Sequence, residues 1–455
     1  MHPTLPSLRH VLAFVTTACV SLLLAACGTA PTTPASVDTP PTGHETPSPP
    51  EPLPPPPPFP VMLGIDVLAE QGFAVLAGQR VGLLTHDAAR TRGGEPTWSV
   101  LHRAPEVRLV ALFAAEHGLD GKAPASAIIK DHTHVPTGLP VYSLYGNARR
   151  PTARLLAQID VMVIDLQDIG SRSYTFVSAM REALEASLLA GISVVVLDRP
   201  NPLGGMKVDG PGVDPDLRSY VGAFPVPYVH GLTMGELARF ALAHESVLKL
   251  DEAQRVAARL TVVPMRGWRR DMRWADTGLE WHATSPYIQN VDSAEGYPMT
   301  GLGCILGGWA HGVGRDQPFR GLSFRGRTAD ALAKELNALG IPGVAFRKID
   351  VVGRDGKTLH GTVVDVTDWD ALRPTELNFR LMRLACAWNP QNPFRAATKT
   401  EEQIFNRHVG SHAWWQALRR DGAKVDVRAF VDRWAAEATA FRERTTPIRI
   451  YPDPS

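Results

Sequence analysis

Four apolar runs, each ending abruptly in polar residues, dominate the first half of the chain. The runs lie at 81–84, 109–115, 161–164 and 194–197. Continuous apolar runs of this length are typical of strands that are buried on both faces of a parallel sheet. Helix-forming segments separate them, near 97–104, 152–159, 175–190 and 234–244. The pattern therefore predicts an α/β domain with a parallel sheet, spanning residues 61–262.

The polar residues that follow these runs are the candidate site residues. They are His86 and Asp87, then Glu116 and His117, then Asp165, Gln167 and Asp168, and finally Asp198, Arg199 and Asn201. Ligands of open α/β sheets bind beyond the carboxyl ends of the strands, so we expect these clusters to converge on one crevice. A carboxyl group against apolar walls has a raised pKa, which suits Glu116 to general acid catalysis. A helix cap or a buried ion pair is the alternative for Glu116.

Two further segments combine residues that are suited to ligand binding. Asp168, Arg172 and Tyr174 lie within seven residues, and the planar guanidinium of Arg172 suits a carboxylate. A structural ion pair between Asp168 and Arg172 is the alternative. The proline-rich loop after 197 either presents Asp198 and Asn201 to a ligand or shapes a turn.

The second half of the chain has shorter and more mixed elements. A strand near 260–264 is expected to open this part, followed by strands near 344–349 and 361–366. Helices are expected at 328–339, 375–388, 401–420 and 427–444. We expect a smaller α+β domain, residues 263–455, that closes the cleft.

The first 60 residues are typical of export and tethering. An apolar segment ends in Leu24-Ala25-Ala26-Cys27-Gly28, which is similar to a bacterial lipobox, and a run of prolines precedes residue 60. The expectation is a lipoprotein signal peptide at 1–27, lipidation of Cys27 and an extended tether at 28–60. A plain signal peptide is the alternative. No aspartate follows Cys27, which in a Gram-negative host favours the outer membrane, facing the periplasm.

Composition and missing motifs exclude several classes of function. A net charge of +1 without a basic stripe gives no case for nucleic-acid binding. The sequence has no Walker A loop, complete dinucleotide fingerprint or GxSxG elbow, so no nucleotide cofactor is expected. His132 and His134 lack an evident third ligand, so no metal is expected. The spacing of Cys304 and Cys386 does not decide whether these two cysteines form a disulfide.

Taken together, the motifs resemble the DUF1343 family, whose characterised members are NamZ-type exo-β-N-acetylmuramidases. In the first domain the matching segments are 80–85, 115–118, 138–146, 165–172, 198–205 and 230–237. Looser matches follow at 265–272, 276–279, 285–286 and 318–319. Two departures stand where the second domain should close the pocket. The stretch 307–317 is shortened and lacks the family's glutamate, and Tyr287 replaces an asparagine.

The resemblance implies a Rossmann-like domain with a smaller C-terminal domain, and release of terminal N-acetylmuramic acid from the non-reducing end of peptidoglycan fragments. Glu116 then corresponds to the catalytic acid, and Asp168 or Asp198 is the second carboxylate. Arg172 is expected to pair with the lactyl carboxylate. The remaining substrate-binding candidates are His117, Tyr174, Asn201, His230 and Arg315. A catalytically weakened murein-binding lipoprotein is the alternative. An esterase or amidase would need a nucleophile or metal that the sequence does not offer.

Overall fold

A seven-stranded sheet forms the first half of the protein in the computed structural model, which describes residues 60–146, 148–353 and 356–454. Its strands are β1 (Arg80–Thr85), β2 (Arg108–Ala114), β3 (His132–Thr133), β4 (Pro140–Ser143), β5 (Val161–Ile164), β6 (Ser193–Leu197) and β7 (Leu260–Val263). Their order is β3-β4-β2-β1-β5-β6-β7, and only β3 runs antiparallel to its neighbour. The predicted parallel sheet is therefore confirmed.

Helices cover both faces of this sheet. They are α1 (Gly64–Glu70), α2 (Thr97–Arg103), α3 (Ala153–Leu156), α4 (Phe176–Leu189), α5 (Met234–Ala243) and α6 (Glu252–Ala257). Successive strand residues point to opposite faces, so Leu83 packs into one hydrophobic cluster and Leu84 into the other. Burial on both faces explains why the strands read as uninterrupted apolar runs. Helix α5 begins with the predicted capping box of Thr233 and Glu236.

The second half forms an antiparallel sheet of four strands with a set of helices. The strands are β8 (Trp309–Gly312), β9 (Gln317–Phe324), β10 (Val344–Val352) and β11 (Thr358–Val366), in the order β10-β11-β9-β8. The helices are α7 (Val291–Thr300), α8 (Ala329–Asn337), α9 (Glu376–Trp388), α10 (Pro393–Ala396), α11 (Lys399–Val409), α12 (His412–Asp421) and α13 (Val427–Thr445). An aromatic-rich core joins Trp309, Phe379, Trp414 and Trp434. This half is α+β, as predicted.

Several elements differ from the sequence-based expectation, three of them in ways that change the topology or the packing. The strand near residue 260 does not open the second sheet, because β7 pairs in parallel with β6 and completes the first. The predicted helix 401–420 is two helices, since Gly410 adopts a left-handed φ of 86° and closes against the backbone of Gly212. The hairpin of β8 and β9 was not predicted, because Trp309–Gly312 is too short to show an alternating pattern.

Long-range contacts tie the two halves together. The carboxylate of Asp209 accepts hydrogen bonds from the backbone and the hydroxyl of Thr375, and the hydroxyl of Tyr451 donates to Asp198 at 2.8 Å. Cys304 and Cys386 are free thiols, so they form no disulfide. Within the described ranges, none of the helices has the length and apolar character needed to cross a membrane.

Candidate active site

A cavity of about 350 Å³ opens at the carboxyl end of β2, and Glu116 lies in its wall. Strand β2 ends at Ala114, and a tight turn follows in which the amide of Gly118 donates to the carbonyl of Ala115. The cavity is lined by Glu116, His117, Ala125, Ser126, Tyr145, Ser173, Tyr174, Thr175, Val221, Ser285, Tyr287, Ile288, Tyr297, Phe319 and His408. Its volume is in the range of small-ligand sites. Both halves of the chain contribute to it.

Each carboxyl oxygen of Glu116 has a specific donor. Oε1 accepts the backbone N–H of Ser126 at 3.0 Å, and Oε2 accepts the hydroxyl of Thr175 at 2.6 Å. The hydroxyl of Tyr145 also lies near Glu116. Burial, and then this contact, raise the pKa of Tyr145, so that it remains a donor at neutral pH. The carboxyl group of Glu116 is therefore held in one orientation.

Backbone strain is concentrated around this cavity. In the described part of the chain, six residues other than glycine have a positive φ, and three of them line the cavity. These three are His117 (φ 72°), Ser126 (φ 64°) and Phe319 (φ 59°). Such conformations cost on the order of 1–3 kcal/mol each and persist where the surrounding structure imposes them, often at functional sites. Ser126 uses this conformation to direct its N–H at Glu116.

Aromatic side chains form the opposite wall. Tyr174 and Tyr297 meet edge to face with their ring centroids 6.1 Å apart, and Tyr297 packs on Phe319 at 4.8 Å. The hydroxyl of Tyr174 donates to Thr284 at 2.7 Å, so its ring, rather than its hydroxyl, is offered to a ligand. Tyr287 also lines this wall. Aromatic faces beside hydroxyl groups suit a ligand that has both apolar and polar surfaces.

Asp168 lies behind this wall, paired with His230. Asp168 Oδ2 accepts the N–H of Gly170 at 2.9 Å and lies 3.4 Å from His230 Nε2. Because His230 Nδ1 accepts the N–H of Leu232, the ring proton is assigned to Nε2, which faces the carboxylate. Asp168 Oδ1 is buried without a protein partner in the described chain. This oxygen is available to a ligand or to water.

Asp198 is placed differently. It is fully buried and lies outside the residues that line the cavity. Oδ1 accepts the N–H groups of Arg199 and Gly235, and Oδ2 accepts the hydroxyls of Thr233 and Tyr451. Burial raises the pKa of Asp198 to about 7. These contacts anchor the start of α5, which favours a structural role over the predicted catalytic one.

The side chains of Arg172 and Asn201 are hydrogen-bonded within the protein, Arg172 through both terminal nitrogens and Asn201 through both of its polar atoms. The two terminal nitrogens of Arg172 donate to the carbonyls of Pro211, Val226, His408 and Val409 at 2.6–3.1 Å. Asn201 accepts from the N–H of Leu203 and donates to the carbonyl of Leu232. Neither side chain lines the cavity. The geometry supports loop fixation by both residues, and not the predicted contacts with a substrate.

Of the other predicted residues, some line the cavity and others do not. His117 lines the cavity, with Nδ1 fixed 2.8 Å from the carbonyl of Ala123. Arg315 is exposed in the turn between β8 and β9 and does not line it. A hydrogen bond to His86 and the buried ion pair of Asp165 and Arg199 connect the remaining loops at this edge of the sheet. The four polar clusters thus meet at one edge of the sheet. Among them, the cluster of Glu116 and His117 supplies the carboxyl group in the cavity wall.

Sequence reasoning did not single out several residues of the site, among them Ser126, Tyr145, Thr175 and Tyr297. Tyr145 lies inside the quoted segment 138–146, and Thr175 directly follows Tyr174, so proximity to known motifs was the available signal. Ser126 contributes only its backbone N–H, which no residue pattern reveals. Tyr297 reaches the cavity from α7, a helix that was not predicted.

The fold and the site define an α/β protein with a buried carboxyl group in a ligand-sized cavity at the carboxyl edge of a parallel sheet. Family models described as exo-beta-N-acetylmuramidase NamZ match the chain, the N-terminal model over residues 81–292 and the C-terminal model over 296–451. The chain therefore belongs to the NamZ family of exo-β-N-acetylmuramidases.

Individual relatives agree with this assignment. Peptidoglycan beta-N-acetylmuramidase NamZ of Bacillus subtilis (strain 168) is 36% identical over 328 residues, which are 71% of this chain and 77% of the relative. A crystal structure of a DUF1343 family protein from Bacteroides fragilis NCTC 9343 has a TM-score of 0.77 at 36% identity, covering 86% of this chain and 99% of the other. A second DUF1343 structure from that organism, 21% identical with a TM-score of 0.66, shares the fold; the match covers 87% of this chain and 99% of that one.

Proposed function

We propose that the protein is an exo-acting glycosidase that releases terminal N-acetylmuramic acid from the non-reducing end of peptidoglycan fragments. The observation that carries the proposal is Glu116, held by Ser126 and Thr175 in a cavity of about 350 Å³ within a NamZ-family fold. A cavity of this size suits one terminal sugar better than a continuous chain. No metal or nucleotide is required by this chemistry.

Glu116 is the proton donor in this proposal. It protonates the glycosidic oxygen while the bond from that oxygen to the anomeric carbon breaks, and water supplies the hydroxyl group to that carbon. Asp168 and Asp198 both lie outside the residues that line the cavity, but Asp168 is the better second carboxylate, because its Oδ1 has no protein partner in the described chain and its charge acts on the lining residue Tyr174. Asp198 has four donors and lies outside the cavity. The ring of Tyr174 supports one face of the sugar.

Hydrolysis of a MurNAc-GlcNAc disaccharide by the purified protein tests this function. Glu116→Gln removes the transferable proton but keeps the side chain's shape, so kcat should fall by about 10²–10⁴-fold while the disaccharide still binds. Glu106→Gln, which changes an exposed glutamate elsewhere, serves as the matched control. Free N-acetylmuramic acid should appear with the parent protein and the control. Binding without release by the parent would instead indicate a murein-binding protein.

We further propose that Cys27 carries a lipid anchor and that the segment 28–60 tethers the enzyme to the outer membrane, on the periplasmic side. The signal segment and residues 28–59 lie outside the described residues, so the support is the lipobox-like sequence and the proline content. At about 3.1 Å per residue, an extended tether reaches roughly 100 Å. Expression of Cys27→Ser in a Gram-negative host should move the protein from the membrane to the soluble fraction. Unchanged membrane association would contradict the anchor.

A further inference from the structure

A second cavity, of about 770 Å³, lies beside the first and is strongly basic. Its cationic lining residues are Arg149, Arg150, Arg181, Arg218 and Lys249, against the single carboxylate of Glu182. We call it the basic cavity. His244 also lines it, but burial and then the charge of Arg218 lower the pKa of that ring, so it adds no charge near neutral pH. This local excess contrasts with a net charge of only +1 for the whole chain.

Two of the five cations are neutralised within the protein. Arg150 pairs with Glu182 at 2.6 Å and with the buried Glu185 at 2.5 Å. Arg181 binds the same two carboxylates. Arg150 and Arg181 therefore form a closed network with two acids, and the positive charge that remains belongs to the other three cations.

Arg149, Arg218 and Lys249 have no ion pair with a carboxylate among the described residues. Arg218 is held in place by the carbonyls of Ala223 and Ser246, which fix its guanidinium without neutralising it. Its Nε is buried without a partner, as is the hydroxyl of Tyr220, another lining residue. A rigid cation and unsatisfied donors in a cavity are the features of an anion site.

The basic cavity adjoins the cavity that holds Glu116. The rings of Tyr145 and Tyr220 lie 6.1 Å apart, and Tyr145 lines the first cavity while Tyr220 lines the second. Arg149 stacks over the ring of Tyr220 at 4.3 Å. Burial raises the pKa of Tyr220. The charge of Glu116 raises this pKa further and the charge of Arg149 lowers it, so Tyr220 lies near both charged side chains. The two cavities therefore meet at the contact between Tyr145 and Tyr220.

We propose that the basic cavity binds the carboxylate that the terminal muramic acid residue carries on its lactyl substituent, or the carboxylates of a peptide attached there. The inference rests on the proposed function. Muramic acid differs from glucosamine by this one anionic substituent, so a cationic cavity next to the cleavage site distinguishes the two sugars. Arg172, expected from the sequence to do this, has its terminal nitrogens bound to carbonyls.

Three substrates and one double variant test the proposal. The substrates are MurNAc-GlcNAc, the same disaccharide with its lactyl carboxylate converted to the neutral carboxamide, and the disaccharide carrying a stem peptide. The variant combines Arg149→Gln and Lys249→Gln, because both side chains are exposed and lack carboxylate partners. Arg154→Gln removes an exposed cation that does not line either cavity and is the matched control.

We expect the double variant to raise KM for the free carboxylate about tenfold, with kcat little changed, and to leave KM for the carboxamide as in the parent. The control should preserve the parent's ratio of the two KM values. A loss confined to the peptide-bearing substrate assigns the cavity to the peptide carboxylates. An unchanged ratio for both anionic substrates overturns the proposal.

A binding measurement separates this proposal from the proposed function. Calorimetry with the same three ligands on the parent, the double variant and the control, each also carrying Glu116→Gln to prevent cleavage, needs no turnover. If the parent cleaves none of the substrates, the glycosidase assignment fails, while a carboxylate preference that the double variant loses still supports the basic cavity. Equal affinity of the parent for carboxylate and carboxamide refutes the basic cavity even if cleavage is observed.

Discussion

The buried carboxyl group of Asp198 should make the protein less stable as pH rises. Its pKa is 3.8 in an unfolded chain and about 7 in the folded protein, where burial disfavours the charged form. Between about pH 4 and pH 7 the unfolded chain releases this proton and the folded protein keeps it, so stability falls with rising pH and levels off above pH 7. At about 1.4 kcal/mol per pH unit, the full loss is about 4 kcal/mol.

Asp198→Asn removes this titration with little change in shape. The amide oxygen can keep the N–H groups of Arg199 and Gly235, and the amide nitrogen can donate to the hydroxyls of Thr233 and Tyr451. We expect the variant to match the parent near pH 4 and to exceed its free energy of unfolding by as much as about 4 kcal/mol near pH 8.

Urea unfolding, followed by fluorescence of the ten tryptophans, measures this difference across the pH range. Asp316→Asn, at an exposed position, is the matched control and should show the parent's pH dependence. A stability difference that does not vary with pH, or a variant less stable than the parent near pH 8, would refute the reasoning. The same protein tests the role of Asp198: retained glycosidase activity supports an anchor, whereas loss with intact folding would make it catalytic.

Four smaller perturbations follow from the described contacts. Thr175→Val removes the hydroxyl that Glu116 accepts at 2.6 Å and should lower kcat about tenfold, while Thr175→Ser restores it. Arg172→Met leaves four carbonyls without their donor and should cost about 3–5 kcal/mol in urea unfolding. Gly170→Ala, at φ 78° and in collision with Asn201 Oδ1, should lower the melting temperature by several degrees, unlike Gly212→Ala, which has open space. Cys386, whose pKa burial raises to about 12, should react with a thiol reagent far more slowly in the folded than in the urea-unfolded protein; equal rates would contradict its burial.

Much of the fold was predictable because burial leaves a direct record in the sequence. Strands β1, β2, β5 and β6 are buried on both faces over most of their length and therefore contain continuous apolar runs. Helix α5 was predictable from its capping box. The hairpin of β8 and β9 and the break at Gly410 were not, because short antiparallel strands and a single glycine leave weak periodic signals.

The site was less predictable than the fold. Glu116 comes shortly after the end of β2 in the chain, so the strand pattern sufficed to predict that it lies at the edge of the sheet. Arg172 and Asp198 belong to equally distinctive motifs, yet both are used for internal hydrogen bonds. A motif records that a residue is needed at a position, but it does not distinguish contact with a ligand from contact with a distant loop. The basic cavity combines cations from separate segments, so no local pattern announces it.

The hydrogen bond from Tyr451 to Asp198 also bears on how the protein is made. It joins residues 253 positions apart in the chain. At roughly 5–20 residues per second, a ribosome needs roughly 10–50 s to travel from one to the other. Throughout that interval Asp198 lacks one of its hydrogen-bond donors, because Tyr451 has not yet been synthesised. Partial translation products that lack Tyr451 should therefore be vulnerable to proteases at this edge of the sheet, and products that contain it should be resistant.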